Sequence, residues 1–231
     1  MTCLRKISIR TFIMMLSFFT FICLFSSSSI AKTCQLDIAA PAVTLSTFEG
    51  KIKISNGHSS RQLGTKFGGH GKMNLRAGWV TRGLTKTQLE SQIEVSIRYR
   101  QISKNRFCIG LSKVAARVGY RHFKVFVARK LKPGSCEYKT TMAHEQNHVS
   151  IYRDQLQKYL PRFKQQLNKS SIGLKPIISS SSAVGHQYFL RKLNSGFKRV
   201  FKQMNKETDR KQGRMDTAKN YRREQALCPD R

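Results

Sequence analysis

The sequence predicts an α+β fold in which an antiparallel sheet is followed by a long helix and a second helix packed against it. Three observations predict this order. Apolar and polar residues alternate as in strands up to residue 131, apolar residues adopt helical spacing from residue 138, and a second amphipathic stretch covers residues 186–208. We therefore expect a signal peptide over residues 1–31 and a single domain over residues 32–231.

The first 31 residues are typical of an export signal. They contain a positive start at Arg5, Lys6 and Arg10, an uncharged apolar run over residues 11–25, and small residues before the predicted cleavage site after Ala31. An uncleaved membrane anchor is the alternative, but the run is shorter than the roughly 20 residues that span a bilayer. We expect a periplasmic or extracellular protein with no integral membrane segment after cleavage.

The chain is strongly basic, with 43 Lys and Arg residues, 12 Asp and Glu residues and a formal net charge of +31. Removal of the signal takes away three basic residues and no acidic ones, so the exported chain stays basic. Such a field attracts polyanions, which outside the cytoplasm include anionic envelope polymers and lipids. We do not expect nucleic acid as the specific ligand. A surface that only keeps the protein soluble is the alternative.

Four cysteines follow the signal, namely Cys34, Cys108, Cys136 and Cys228. Four cysteines in an exported protein indicate two disulfides. We predict Cys108–Cys136, because these residues flank a predicted β-hairpin, and Cys34–Cys228, because these residues lie near the two ends of the chain. No two of them have the close spacing of a zinc knuckle.

Strand candidates occupy the first part of the chain. Residues 35–53 predict one or two short strands, residues 56–72 a loop, and residues 92–100 a further strand. Residues 107–118 and 120–131 predict an antiparallel hairpin that turns at Val118-Gly119-Tyr120-Arg121. Lys132-Pro133-Gly134-Ser135 should end the sheet.

Helical candidates follow from about Tyr138. The apolar residues with helical spacing are Val149, Tyr152, Leu156, Leu160, Phe163 and Leu167, and Pro161 should kink or divide this helix. A Ser-rich loop is predicted over residues 168–185. The helix over 186–208 should pack its apolar stripe on the first helix, with membrane binding as the alternative. A basic tail follows from residue 209.

The first helix contains His144-Glu145-Gln146-Asn147-His148, an H-E-x-x-H motif. On a helix the two histidines lie roughly 6 Å apart along the axis, so both can bind one Zn²⁺ while Glu145 lies beside it as a general base. The alternative is a helix with two ordinary histidines. A third zinc ligand is required, and the residues left open for it are Glu207, Asp209, Asp216, Glu224, Asp230, His58, His70, His122 and His186.

The H-E-x-x-H helix, Cys136, the preceding hairpin and the C-terminal segment resemble a family of exported bacterial proteins of unknown function that are predicted to be zinc-dependent proteases. The resemblance covers roughly residues 84–228. Members often carry a later Y-D-x-x-T-x-H-G-x-x-Q pattern. Over residues 215–225 this chain keeps its aspartate as Asp216 and its glutamine as Gln225. It departs from the pattern at Met215, Lys219, Tyr221 and Arg222.

The resemblance implies a zincin-like fold and an exported zinc metallopeptidase that acts on a peptide or protein substrate. Glu145 would be the general base, and His144 and His148 would bind zinc. Some zincins use an aspartate as the third ligand, so the resemblance favours Asp216, with Tyr221 as a candidate to support an oxyanion. The alternative function is a non-catalytic cationic envelope protein that binds anionic polymers or membranes.

Overall fold

The structure, a computed structural model, describes residues 34–66 and 80–228. The predicted signal peptide over residues 1–31 lies outside the described residues, as do the candidate ligands His70 and Asp230. Among the described residues, no helix is both long enough and apolar enough to cross a bilayer.

Strands and helices alternate along the described part of the chain. In order, the elements are β1 (Ala42–Glu49), β2 (Ile52–Ser55), α1 (Ser60–Lys66), β3 (Gly83–Ser103), β4 (Arg106–Val127), α2 (Cys136–Ile172), β5 (Ile177–Ser179), α3 (Ser182–Met215) and α4 (Ala218–Gln225). The predicted α+β composition is confirmed, and so are short strands within residues 35–53 and a strand over residues 92–100, which is part of β3.

The long strand β4 is the centre of the sheet. β3 pairs with it in antiparallel orientation along almost its whole length. The other edge of β4 pairs with three shorter strands, one after another along its length. They are β5, which is antiparallel to β4, followed by β1 and β2, which are parallel to it. The turn between β3 and β4 contains Asn105 with φ 58°, a left-handed conformation that asparagine tolerates better than most residues.

The predicted antiparallel sheet is wrong, because the two parallel pairings make the sheet mixed. The predicted hairpin over residues 107–131 is also wrong, because β4 runs straight through its proposed turn. Gly119 is needed for a different reason. A Cβ atom built there would lie 1.9 Å from the carbonyl oxygen of Phe48 on β1, so the glycine permits close approach of a neighbouring strand.

The helices α2 and α3 form an antiparallel pair on the sheet. Phe163 on α2 packs against Phe197 on α3 with ring centroids 4.8 Å apart, and toward the other end Lys158 binds Glu207 at 2.7 Å. The apolar stripes of both helices join the core with β4, which confirms the predicted packing of the second helix on the first. The end of α3 therefore returns to the first part of α2.

Two predicted helix boundaries are wrong. The first helix does not divide at Pro161, because α2 continues through this residue to Ile172, and a kink there stays a prediction. The predicted loop over residues 168–185 is too long, because α2 ends within it at Ile172 and β5 forms within it. Ser181 then caps the start of α3 by accepting a hydrogen bond from the backbone of Val184. Serine favours helix starts for this reason.

Two disulfides are present, as predicted, but the predicted pairing is wrong. The bonds are Cys34–Cys108 and Cys136–Cys228, rather than Cys108–Cys136 and Cys34–Cys228. The error follows from the predicted hairpin. Because β4 does not turn, Cys108 lies near one end of that strand, while Cys136 follows its other end at the start of α2.

Candidate metal centre

The H-E-x-x-H motif lies near the start of α2. Ser135 caps this helix by accepting a hydrogen bond from the backbone of Tyr138, and Gly134 before it has φ 84°, a conformation that favours glycine. His144, Glu145 and His148 are all buried, with exposed fractions of 4%, 3% and 7%. Their potential ligand atoms lie within 4.8 Å of one another, so this group can hold a metal ion.

The connection between α3 and α4 places Asp216 next to the histidines. It is the C-terminal cap of α3, and the next residue, Thr217, caps α4 by accepting a hydrogen bond from the backbone of Asn220. The Asn220 side chain donates in turn to the carbonyls of Arg214 and Met215 at 2.9 and 3.1 Å. This tight connection fixes the position of Asp216 relative to α2.

Three polar atoms from the two helices converge on one point. His144 Nε2 and His148 Nε2 are 3.0 Å apart, and Asp216 Oδ1 lies 3.1 Å from each of them. The atoms therefore form a nearly equilateral triangle of two nitrogens and one carboxylate oxygen. The structure thus brings the predicted Asp216 together with both predicted histidines.

The opposite nitrogens of both rings are held from the C-terminal part of the chain. His144 Nδ1 lies 3.1 Å from Glu224 Oε1 and 3.0 Å from Glu224 Oε2. His148 Nδ1 forms a short hydrogen bond to Gln212 Oε1, and the Gln212 amide donates to the His148 carbonyl at 3.1 Å. When the rings are neutral, these contacts favour the tautomer with hydrogen on Nδ1, which leaves the Nε2 lone pairs directed at the triangle.

Glu145 points from the same helix toward β3. Thr85 donates a hydrogen bond of 2.7 Å to Glu145 Oε2. The other oxygen, Oε1, lies against Gly83, where an added Cβ would be only 2.4 Å away. The sheet therefore supplies a hydrogen-bond donor for one carboxylate oxygen and room for the other.

Tyr221 on α4 covers the histidines. Its hydroxyl donates to Asp216 Oδ1 at 2.7 Å, and its ring lies 5.0 Å from the ring of His144. In this arrangement Tyr221 orients the carboxylate of Asp216. Its predicted support of an oxyanion stays a prediction.

The close contacts shift several pKa values. Burial would lower the pKa of His144, but hydrogen bonds to Asp216 and Glu224 outweigh burial and raise the pKa to about 9. The pKa of His148 is raised in the same way, against the effect of burial, by its bond to Asp216. Burial raises the pKa of Glu145. Burial would also raise the pKa of Asp216, but the two histidines hold it well below its usual range.

Two of the other candidate ligands have partners away from the histidines. Glu207 accepts hydrogen bonds from Lys158 and Tyr159, and His58 packs edge-on against Phe126. Within the described ranges, the ligand candidates hydrogen-bonded to the histidines are Asp216 and Glu224. Sequence reasoning missed the role of Gln212 and assigned Glu224 only as a candidate ligand. Neither belongs to the H-E-x-x-H motif.

No family model, curated protein or solved structure matches this chain. The resemblance to an exported family of zinc-dependent proteases therefore stays a prediction. What is known of the site rests on the chain's own residues and on the distances between them.

Proposed function

We propose that this chain is an exported zinc-dependent peptidase of the H-E-x-x-H type. The observation that carries the proposal is the triangle of His144 Nε2, His148 Nε2 and Asp216 Oδ1, with sides of 3.0 and 3.1 Å. Tetrahedral zinc with bonds of about 2.1 Å keeps its ligand atoms roughly 3.4 Å apart. A small outward movement would therefore seat the ion, and two imidazoles with one carboxylate are a common catalytic zinc set.

Bound zinc would supply a Lewis acid that lowers the pKa of a water molecule and polarises a substrate carbonyl. The chain's own contribution is the proton transfer. Glu145 Oε1 accepts no hydrogen bond from the described residues, whereas Oε2 is held by Thr85. Because burial raises the pKa of Glu145, this carboxylate is a stronger base than an exposed one. Glu145 Oε1 would take a proton from the attacking water and pass it to the leaving amine.

Export is part of the proposal. Two disulfides are supported by their geometry, and disulfides persist mainly outside the reducing cytoplasm. The positive start, apolar run and Ala31 cleavage site favour the same compartment. The substrate would be a peptide or protein in the periplasm or outside the cell.

The proposal is tested on the purified mature chain from residue 32. We expect one zinc ion per molecule and casein hydrolysis that falls on the order of 10²- to 10⁴-fold in Glu145→Gln. Glu94→Gln is the matched control, because Glu94 is an exposed residue on β3. Zinc at background level in the wild type, or equal hydrolysis by wild type and Glu145→Gln, would contradict the proposal.

A second candidate function is binding of an anionic polymer, and the charge distribution on α3 and α4 favours it. The cations there, none of which forms an ion pair with another described residue, are Arg191, Lys192, Lys198, Arg199, Lys202, Lys206, Arg210, Lys211, Arg214, Lys219, Arg222 and Arg223. Of the four acids there, Asp216 and Glu224 are engaged by the histidines, Glu207 pairs with Lys158 on α2, and Asp209 lies among the lysines. The region thus has a large unneutralised positive charge.

One concave part of this surface is lined by Lys198, Lys202 and Lys206, together with Phe201, Asn205 and Asp209. Val184, in the first turn of α3, is exposed, but among the described residues no large apolar side chain is exposed between Lys198 and Arg223, which favours a polymer over membrane insertion there. The test is binding of polyphosphate at several salt concentrations. We expect weaker binding when Lys198, Lys202 and Lys206 are changed to Glu. The same change at the exposed Lys51, Lys53 and Lys104 should have a smaller effect. Equal losses would contradict a defined surface.

A further inference from the structure

The C-terminal segment from Asp216 to Cys228 surrounds one side of the histidine pair. We propose that Glu224 is a positioning residue for His144 and that the Cys136–Cys228 disulfide holds Glu224 in place, so that both determine the metal affinity of the centre. The inference rests on the proposed zinc site. It assigns a function to a carboxylate and to a disulfide that lie outside the H-E-x-x-H motif.

The geometry of Glu224 fits a positioning role better than a direct ligand role. Its two carboxylate oxygens lie 3.0 and 3.1 Å from His144 Nδ1, on the side of the ring opposite the Nε2 atom that faces Asp216. A carboxylate there accepts the Nδ1 hydrogen and keeps the Nε2 lone pair available for a metal ion. It also fixes the rotation of the imidazole and increases its basicity.

His148 is held differently, which makes His144 the more vulnerable of the two. Gln212, which contacts His148 Nδ1, belongs to the long helix α3, whose apolar stripe is part of the core. Glu224 belongs to α4, an eight-residue helix without a buried residue of its own. A short helix without buried apolar side chains has little stability of its own.

Besides the contacts of Tyr221 and Glu224 with His144 and Asp216, α4 is held at its two ends. At the start, Thr217 and Asn220 fix the connection from α3. At the end, Cys228, which is buried, is bonded to Cys136, the first residue of α2. Cys136 precedes His144 by about two helical turns, so the disulfide fixes the end of α4 close to the ring that Glu224 contacts. Without it, the end of α4 would be held only by the side-chain contacts of Tyr221 and Glu224 with Asp216 and His144.

The experiment measures zinc affinity of the mature chain by competition with a chromophoric chelator, so the readout does not depend on hydrolysis. We expect Glu224→Ala to weaken zinc binding about 10- to 100-fold, the range for loss of a residue that orients a metal ligand. Glu224→Gln should recover most of the affinity, because its amide oxygen can still accept the Nδ1 hydrogen. A purely electrostatic role would not give this recovery.

The second disulfide of the chain is a matched control. Cys136→Ser with Cys228→Ser should weaken zinc binding by a factor similar to that of Glu224→Ala. Cys34→Ser with Cys108→Ser, which removes the bond near the opposite end of β4, should change affinity by less than about threefold. Circular dichroism and thermal melting of each variant show whether it is folded.

Several results would overturn the inference. Unchanged affinity in Glu224→Ala would remove the positioning role. Equal losses in the two double cysteine variants would make the effect one of general stability. If the wild type itself binds no zinc, the proposed function fails and this inference fails with it. If the wild type binds zinc and Glu145→Gln abolishes hydrolysis while Glu224→Ala has no effect, only the inference fails.

Discussion

Gly83 is the residue at which the smallest chemical change should disturb the base without touching the metal ligands. It is the first residue of β3, and it lies against the buried carboxylate of Glu145. The described glycine with a positive φ is Gly134, so the backbone at Gly83 can accept alanine without strain. The effect of Gly83→Ala therefore comes only from the added methyl group.

The distances around that methyl group set the size of the effect. It would lie 2.4 Å from Glu145 Oε1, 2.7 Å from Thr141 Cγ2 and 2.9 Å from Glu145 Cδ. An ordinary contact between carbon and oxygen is about 3.3 Å, so the carboxylate must move by nearly 1 Å. Overpacking of this kind costs about 1–3 kcal/mol of stability. A displacement of about 1 Å at a catalytic group lowers kcat on the order of 10²-fold.

The assay compares kcat, zinc content and urea denaturation of wild type, Gly83→Ala and Gly57→Ala. Gly57 is the matched control, because an added Cβ there meets no atom within 4 Å. We expect Gly83→Ala to keep its zinc and lose kcat, since its methyl group does not contact the histidines or Asp216. Wild-type kcat in Gly83→Ala would refute the assignment of Glu145 as the base in this position. Loss of zinc from Gly83→Ala would show that the methyl group also disturbs the histidines or Asp216, and would contradict the argument that it acts on Glu145 alone.

Three further predictions concern stability. The pKa of His144 is about 9 when folded and 6.5 in its ordinary range. Its stabilising contribution is therefore complete below pH 6.5 and lost as the pH rises through 9. Urea denaturation of the metal-free protein should show a loss of up to about 3 kcal/mol across that interval; zinc-saturated protein should not show it, and a flat profile without metal would contradict the raised pKa. Gly213→Ala should raise the free energy of unfolding by about 0.5–1 kcal/mol, because the position is helical and open around an added Cβ; a lower melting temperature would count against this. Phe163→Ala should lower the free energy of unfolding by about 3–5 kcal/mol, since this ring is fully buried between α2 and α3; a loss below about 1 kcal/mol in urea denaturation would place the ring outside the core.

The local features of the site could be predicted from the sequence because they depend on neighbours along the chain. Helical spacing places His144 and His148 on one face of the helix that the sequence predicts from about Tyr138. The resemblance favours Asp216 as the third ligand, and the structure brings it to both histidines. The contacts of Gln212 and Glu224 could not be predicted, because they depend on how far α3 extends back along α2 and on the turn between α3 and α4.

The sheet shows why long-range features were harder to predict. In the sequence Gly119 looks like a turn residue. The structure requires a glycine there because the carbonyl of Phe48, on a strand far earlier in the chain, lies too close for a side chain. No periodicity within residues 107–131 contains that information. The wrong disulfide pairing followed from the same error, because the predicted hairpin brought Cys108 close to Cys136.

The site is divided between the helix pair α2 and α3 and the strand pair β3 and β4, and this division has a consequence for how the protein folds. The ligand triangle is built entirely by α2 and the connection that follows α3, whereas the environment of Glu145 Oε1 and Oε2 is built by β3. Both parts join residues far apart in sequence, His144 with Asp216 in the triangle and Thr85 with Glu145 beside it, so each forms only when distant segments meet. In refolding experiments we expect metal uptake to accompany the meeting of α2 with the end of α3, and catalytic competence to require in addition that β3 docks on α2 beside Glu145.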